Sequence, residues 1–250
     1  MKFKSIIVSF VAVLVFGLIG GMSYATPVEE STELTIEGYT AYLEEKINNG
    51  EFGAKETLEK FKNLDIEQQK AFLKFLGRSD YIELFQLSAS RSDIEKYYDI
   101  DGVTVPVSVK QEVSGLTSDG DTFNTLAASV ETSASISEFI TIFGVEVSTL
   151  TLTCNWEHNG SSATKALQVK HAHANMNPAW IISEQSNSHP GYISGGYFNG
   201  SGSWTMYATG TIGAISHSLS LGIKGKTPSE KYYNFHSAHP NMTNIPWTRF

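Results

Sequence analysis

The chain has 250 residues, 18 Lys or Arg against 26 Asp or Glu for a net charge of −8, and one cysteine, Cys154. That length supports one sizeable core or two modest ones, and the acidic balance excludes nucleic acid as an expected partner, because phosphates are bound by clustered Lys and Arg. A single cysteine rules out an intramolecular disulfide, so stability must come from burial and backbone hydrogen bonds, and Cys154 itself is expected to be a small buried hydrophobe.

Lys2 and Lys4, the apolar run from Ile6 to Ile19 and Ser23-Tyr24-Ala25 predict a secretory signal peptide over residues 1–25, cleaved after Ala25. The run is shorter than the roughly 20 residues of a membrane span. The expected location is therefore extracellular. Loss of Lys2 and Lys4 leaves 16 basic residues against 26 acidic ones, a net charge of −10, which also disfavours an anionic membrane.

Residues 26–102 read as an acidic helical segment. Tyr39, Leu43 and Ile47 recur at helical spacing until Asn48-Asn49-Gly50 stops them. Leu58, Phe61 and Leu64 mark a second helix, and Asp65 with Gln68 forms a capping box for a third that carries Phe72, Phe75 and Leu76 and ends at Gly77. Ser79-Asp80 opens a short helix through Leu84 and Leu87, and Ser92 with Glu95 predicts another before Tyr97 and Tyr98. Asp99-Ile100-Asp101-Gly102 lacks the ligands of a calcium loop and reads as the turn between two domains.

From residue 103 to 250 the period becomes two. Val103, Val105, Val107 and Val109 describe a strand that Pro106 should confine to a sheet edge. Leu116 to Ser137 reads as loop or weak strand. In Phe139 to Trp156 the apolar parity shifts, which predicts a bulge near Ser148, and His158-Asn159-Gly160 predicts a hairpin turn into Lys165 to Ala174. Trp204 and Met206 alternate with Thr205 and Tyr207, and Leu219, Leu221 and Ile223 alternate with serines. The expected fold is α+β, a small N-terminal helical bundle followed by an antiparallel β-sandwich or barrel.

All seven histidines lie in this β part. His171 and His173 share a strand face and are the candidate metal ligands, short of a third. Ser194 lies outside nucleophile-elbow spacing, and Glu157 and Glu184 have no evident carboxylate partner, so no catalytic residue and no cofactor are expected. Trp180, Tyr192, Tyr197 and Trp204 flank loops rich in Asn, Ser and Gly and are the candidate ligand-binding residues, with Phe198 and Trp247 beside them, suited to a sugar ring or a partner surface. The layout of signal, helical segment and Ser/Thr-rich β domain resembles that of secreted proteins of Gram-positive bacteria without any shared motif. The expectation is a secreted, non-catalytic protein that binds a cell-envelope polymer or protein partner. The alternatives are a membrane-active toxin, since polar and apolar alternation also marks pore-forming hairpins, and a metal-dependent enzyme.

Overall fold

The computed structural model describes residues 34–90, 93–115, 129–185, 190–208 and 216–250. The predicted signal peptide, the expected cap at Ser92, residues 116–128 and His189 lie outside them. Helix α1 (Ile36–Asn48) starts at Thr35, whose hydroxyl accepts the Gly38 amide at 3.0 Å. Helix α2 (Ala54–Lys62) follows, then α3 (Ile66–Leu76), which is held by the expected capping box: Asp65 accepts the Gln68 amide at 2.8 Å and Gln68 accepts the Asp65 amide at 3.1 Å. A 3-10 turn (Tyr81–Glu83) leads into the six-residue α4 (Leu84–Ala89).

The next segment differs from expectation. Ile94–Ile100 is a strand, β1, paired antiparallel with β2 (Val103–Ser114) from Ile94 against Val109 to Ile100 against Val103. Two residues connect them, Asp101 and Gly102, both at positive φ, so Asp99-Ile100-Asp101-Gly102 forms a tight hairpin rather than an interdomain turn.

Two antiparallel sheets result. The five-stranded sheet runs β1-β2-β3-β4-β5, with β3 Val130–Ile142, β4 Val145–His158 and β5 Ala163–Asn175. The six-stranded sheet runs β11-β10-β9-β8-β6 with β7 also on β8; β6 is Trp180–Gln185, β7 Tyr192–Ser194, β8 Tyr197–Ala208, β9 Ser216–Thr227, β10 Glu230–Ser237 and β11 Ile245–Arg249. Among the described residues no helix is long and apolar enough to cross a membrane.

Strand β2 is interior, flanked by β1 and β3, although it contains Pro106. The proline is accommodated because the β3 ladder ends one residue short of it, at Val107 against Ile142. Its carbonyl accepts Phe143 N at 2.9 Å. The nitrogen of a strand residue points the same way as its carbonyl, so the missing N–H faces the β3–β4 turn and leaves the β1 ladder intact. The Ser-rich stretch from Val130 is a full strand, steadied on its outer face by Ser135 Oγ to Thr153 Oγ1 at 2.9 Å and Ser137 Oγ to Thr151 Oγ1 at 3.0 Å. The expected bulge is present: Ile140 faces Ser148 and Thr141 faces Glu146, so Val147 is the extra residue and both Val147 and Ser148 are buried.

Helices and sheets share one buried cluster, from Tyr39 and Phe72 through Ile136 and Leu152 to Trp204 and Phe235. Between the sheets, the Trp156 ring stacks on Phe198 with centroids 5.1 Å apart and planes at 11°. Gly200 and Gly225 allow the approach, since a Cβ on Gly200 would lie 2.7 Å from Cys154 Sγ and one on Gly225 2.3 Å from the Trp156 ring. Cys154 is fully buried, and burial pushes its thiol well above the ordinary range.

Candidate functional site

Strand parity decides which side chains of the six-stranded sheet reach the surface. Trp180 and Trp204 are 1% and 0% exposed. They point inward with Ile182, Met206 and Phe198, so neither offers a face to a ligand, which removes both from the candidate binding set. Tyr192 and Tyr197 are on the opposite, outer side, Tyr192 at 59% exposure. Tyr207 and Trp247, each 43% exposed, join them on that side.

The register draws a continuous row across five strands of this face. Tyr192 on β7 pairs with Asn199 on β8, Asn199 with Lys224 on β9, Lys224 with Tyr232 on β10, and Tyr232 with Arg249 on β11. At the usual strand spacing the row is about 19 Å long. Beside it lie Ser201, Gly222 and Asn234. Gly222 matters because a Cβ there would sit 2.1 Å from Asn234 Oδ1 and 3.0 Å from the Trp247 ring tip. Its bare backbone therefore lets both side chains lie across β9.

At the middle of the row, Lys224 Nζ sits 4.3 Å and Lys226 Nζ 5.1 Å from the Tyr197 ring centroid. The Tyr197 hydroxyl donates to Glu230, which holds that carboxyl below its usual range, with Lys226 and Arg249 adding to the effect. Glu230 is the one acidic side chain among the described residues of this face; Glu184 on β6 is in register with inward-facing Trp204.

The histidines are arranged differently. His171 and His173 share a face, as the strand period requires, and that face meets the other sheet. His171 Nε2 is 3.1 Å from Gln185 O and its ring meets Trp204 edge-on at 5.6 Å, while His173 Nδ1 is 3.0 Å from Glu184 Oε1. They act as cross-links between β5 and β6. His217 and His239 form a second pair, ring centroids 4.3 Å apart, and burial followed by the neighbouring imidazole lowers the pKa of His217. Among the described residues no three His, Cys, Asp or Glu side chains converge on a possible metal position. Glu157 is a surface acceptor for Ser129 Oγ at 2.7 Å and Lys165 Nζ at 3.1 Å.

One group was not anticipated from sequence. Glu138 on β3 is fully buried beneath α4 and neither carboxyl oxygen has a hydrogen-bond partner; burial raises its pKa to about 8, offset in part by nearby Ser88 and Gln111. The pattern Val130–Ile142 did carry the signal, since Glu138 falls on the parity of Ile136 and Ile140. Tyr232, Lys224 and Arg249 were also missed. Adjacent Tyr232 and Tyr233 leave the parity of β10 undecided until β9 is placed beside it.

No protein-family model, curated protein or solved structure matches this chain.

Proposed function

We propose that this is a secreted, non-catalytic protein that binds a polymer at or beyond a bacterial cell surface through the outer face of its six-stranded sheet. The observation that carries the reading is the division of aromatic residues by strand parity. Trp180, Phe198 and Trp204 fill the core, whereas Tyr192 and Trp247 stand exposed on one side beside Asn199, Ser201 and Asn234, with Tyr207 exposed at the far end of β8. Exposed rings give contact area at low entropy cost, and short amides and hydroxyls between them supply hydrogen bonds to a hydroxylated ligand. In this reading the two sheets pack inner face to inner face as a β-sandwich, supported by the Trp156–Phe198 stack, and that packing holds the outer face rigid. The signal-like N-terminus supports export, and the layout supports a Gram-positive source.

Co-sedimentation of the purified protein with purified envelope polymers tests the reading. Wild type is expected in the pellet, and the Tyr192→Ala, Trp247→Ala double variant in the supernatant. A soluble wild type sinks the proposal. Dye release from liposomes, accompanied by assembly into a larger species, would favour the membrane-active alternative instead.

A further inference from the structure

We infer that the ligand of this face is an acidic polysaccharide, sugar rings bearing carboxylates, laid along the row from Tyr192 to Arg249. The inference rests on the binding-face reading above and specifies its ligand.

The last 148 residues contain only seven Lys or Arg, and sequence order scatters them from Lys110 to Arg249. Folding gathers Lys224, Lys226 and Arg249 at one end of a single face, against one carboxylate, Glu230. That carboxylate is already engaged by Tyr197, with Lys226 at 4.0 Å and Arg249 close by. Lys224 instead lies over the Tyr197 ring, a contact that orients the ammonium without neutralising it. In a net-negative chain, three cations set against one carboxylate make this end of the face a local attractor for an anion.

Along the row the sequence is aromatic, amide, cation, aromatic, cation. Rings stack on the C–H faces of a pyranose, the amide of Asn199 suits its hydroxyls, and Lys224 and Arg249 on either side of Tyr232 suit acidic substituents. An acyclic polyol phosphate has no ring to stack. A nucleic acid would need several phosphate contacts to overcome the overall charge, and successive open aromatic faces; here one face of Tyr197 is taken by Lys224 and its ring meets Tyr232 at 64°.

The experiment measures binding of the purified protein to immobilised polygalacturonate, its methyl ester, a glycerol phosphate polymer and oligodeoxythymidylate, at low and high salt. Polygalacturonate is expected to bind best, more weakly as salt rises, and the methyl ester poorly. Lys224→Ala and Arg249→Gln should each weaken binding roughly tenfold, the order of one charge-assisted contact. Lys110→Ala, on the other sheet, should leave it unchanged, and near-ultraviolet circular dichroism should be the same for all variants. Equal binding of the methyl ester, tighter binding of either phosphate polymer, an equal loss with Lys110→Ala, or no retention at all overturns the inference. Neutral-polymer binding that still depends on Tyr192 and Trp247 would overturn the acidic ligand while keeping the face; binding indifferent to both rings would remove the face as well.

Discussion

The Tyr81 hydroxyl lies 2.8 Å from Ser148 Oγ, with both side chains buried, and joins the 3-10 turn of the helical region to the bulge of β4. Ser148 Oγ in turn reaches Asn175 Oδ1 at 3.1 Å, and the Asn175 amide donates to the Asn177 and Trp180 carbonyls. The two ends of the contact are unequal. In Tyr81→Phe, Ser148 keeps Asn175, so the cost is expected near 1 kcal/mol; in Ser148→Ala the tyrosine hydroxyl stays buried with its partner gone, at about 1–3 kcal/mol. Urea midpoints of the two variants check the order, and a cheaper Ser148→Ala would mean that another group satisfies Tyr81.

Glu138 makes stability depend on pH in a stated direction. Its folded pKa of about 8 lies above the ordinary value of 4.5, so the native state binds a proton there that the unfolded chain releases. Its contribution is full below pH 4.5 and is lost as pH rises towards 8. The slope approaches about 1.4 kcal/mol per pH unit in that window. Glu138→Gln removes this component and should raise the urea midpoint above pH 8. A variant with the wild-type pH profile would show that Glu138 is already ionised in the fold.

Two glycines on opposite faces of β9 should behave oppositely. At Gly225 an added Cβ meets the enclosed Trp156 ring at 2.3 Å, and Gly225→Ala is expected to cost about 1–3 kcal/mol or more. At Gly222 it meets the tips of Asn234 and Trp247, which can swing outward. Gly222→Ala should therefore change thermal stability little and weaken polymer binding. Melting curves and the co-sedimentation assay separate the two effects.

Cys154 should be chemically silent in the native state. It is buried against Gly200 between the sheets, and the thiolate that reacts with disulfide reagents is disfavoured there. Ellman's reagent is expected to report no thiol until denaturant unfolds the chain, and one thiol afterwards. Prompt native labelling would show that this part of the core opens.

Local signals were legible where one segment sufficed to set them: the Asp65–Gln68 capping box, the turn after His158 and the bulge beside Ser148. The second apparent capping box, Ser92 with Glu95, misled because Ile94–Ile100 obtains its hydrogen bonds from β2, a partner that local spacing does not reveal. Pro106 misled for the same reason, since the position where the β3 ladder stops decides whether a proline is tolerated. For the outer face of the six-stranded sheet, the alternation of Trp204 with Tyr207 already implied opposite sides, so Trp204 was recognisable as core. The row from Tyr192 to Arg249 was not legible, because it exists only once five strands are in register.

The buried links between helices and sheets join residues far apart in the chain. Tyr39 bonds Met176 O across 137 positions, Asn177 bonds Leu76 O across 101, and Tyr233 bonds Ala89 O across 144. During synthesis the helices emerge first and lack these partners until about 100 further residues have followed. Short helices held mainly by tertiary contacts are marginal by themselves. The helices therefore cannot make these three bonds until the strands and loops that share them have been synthesised.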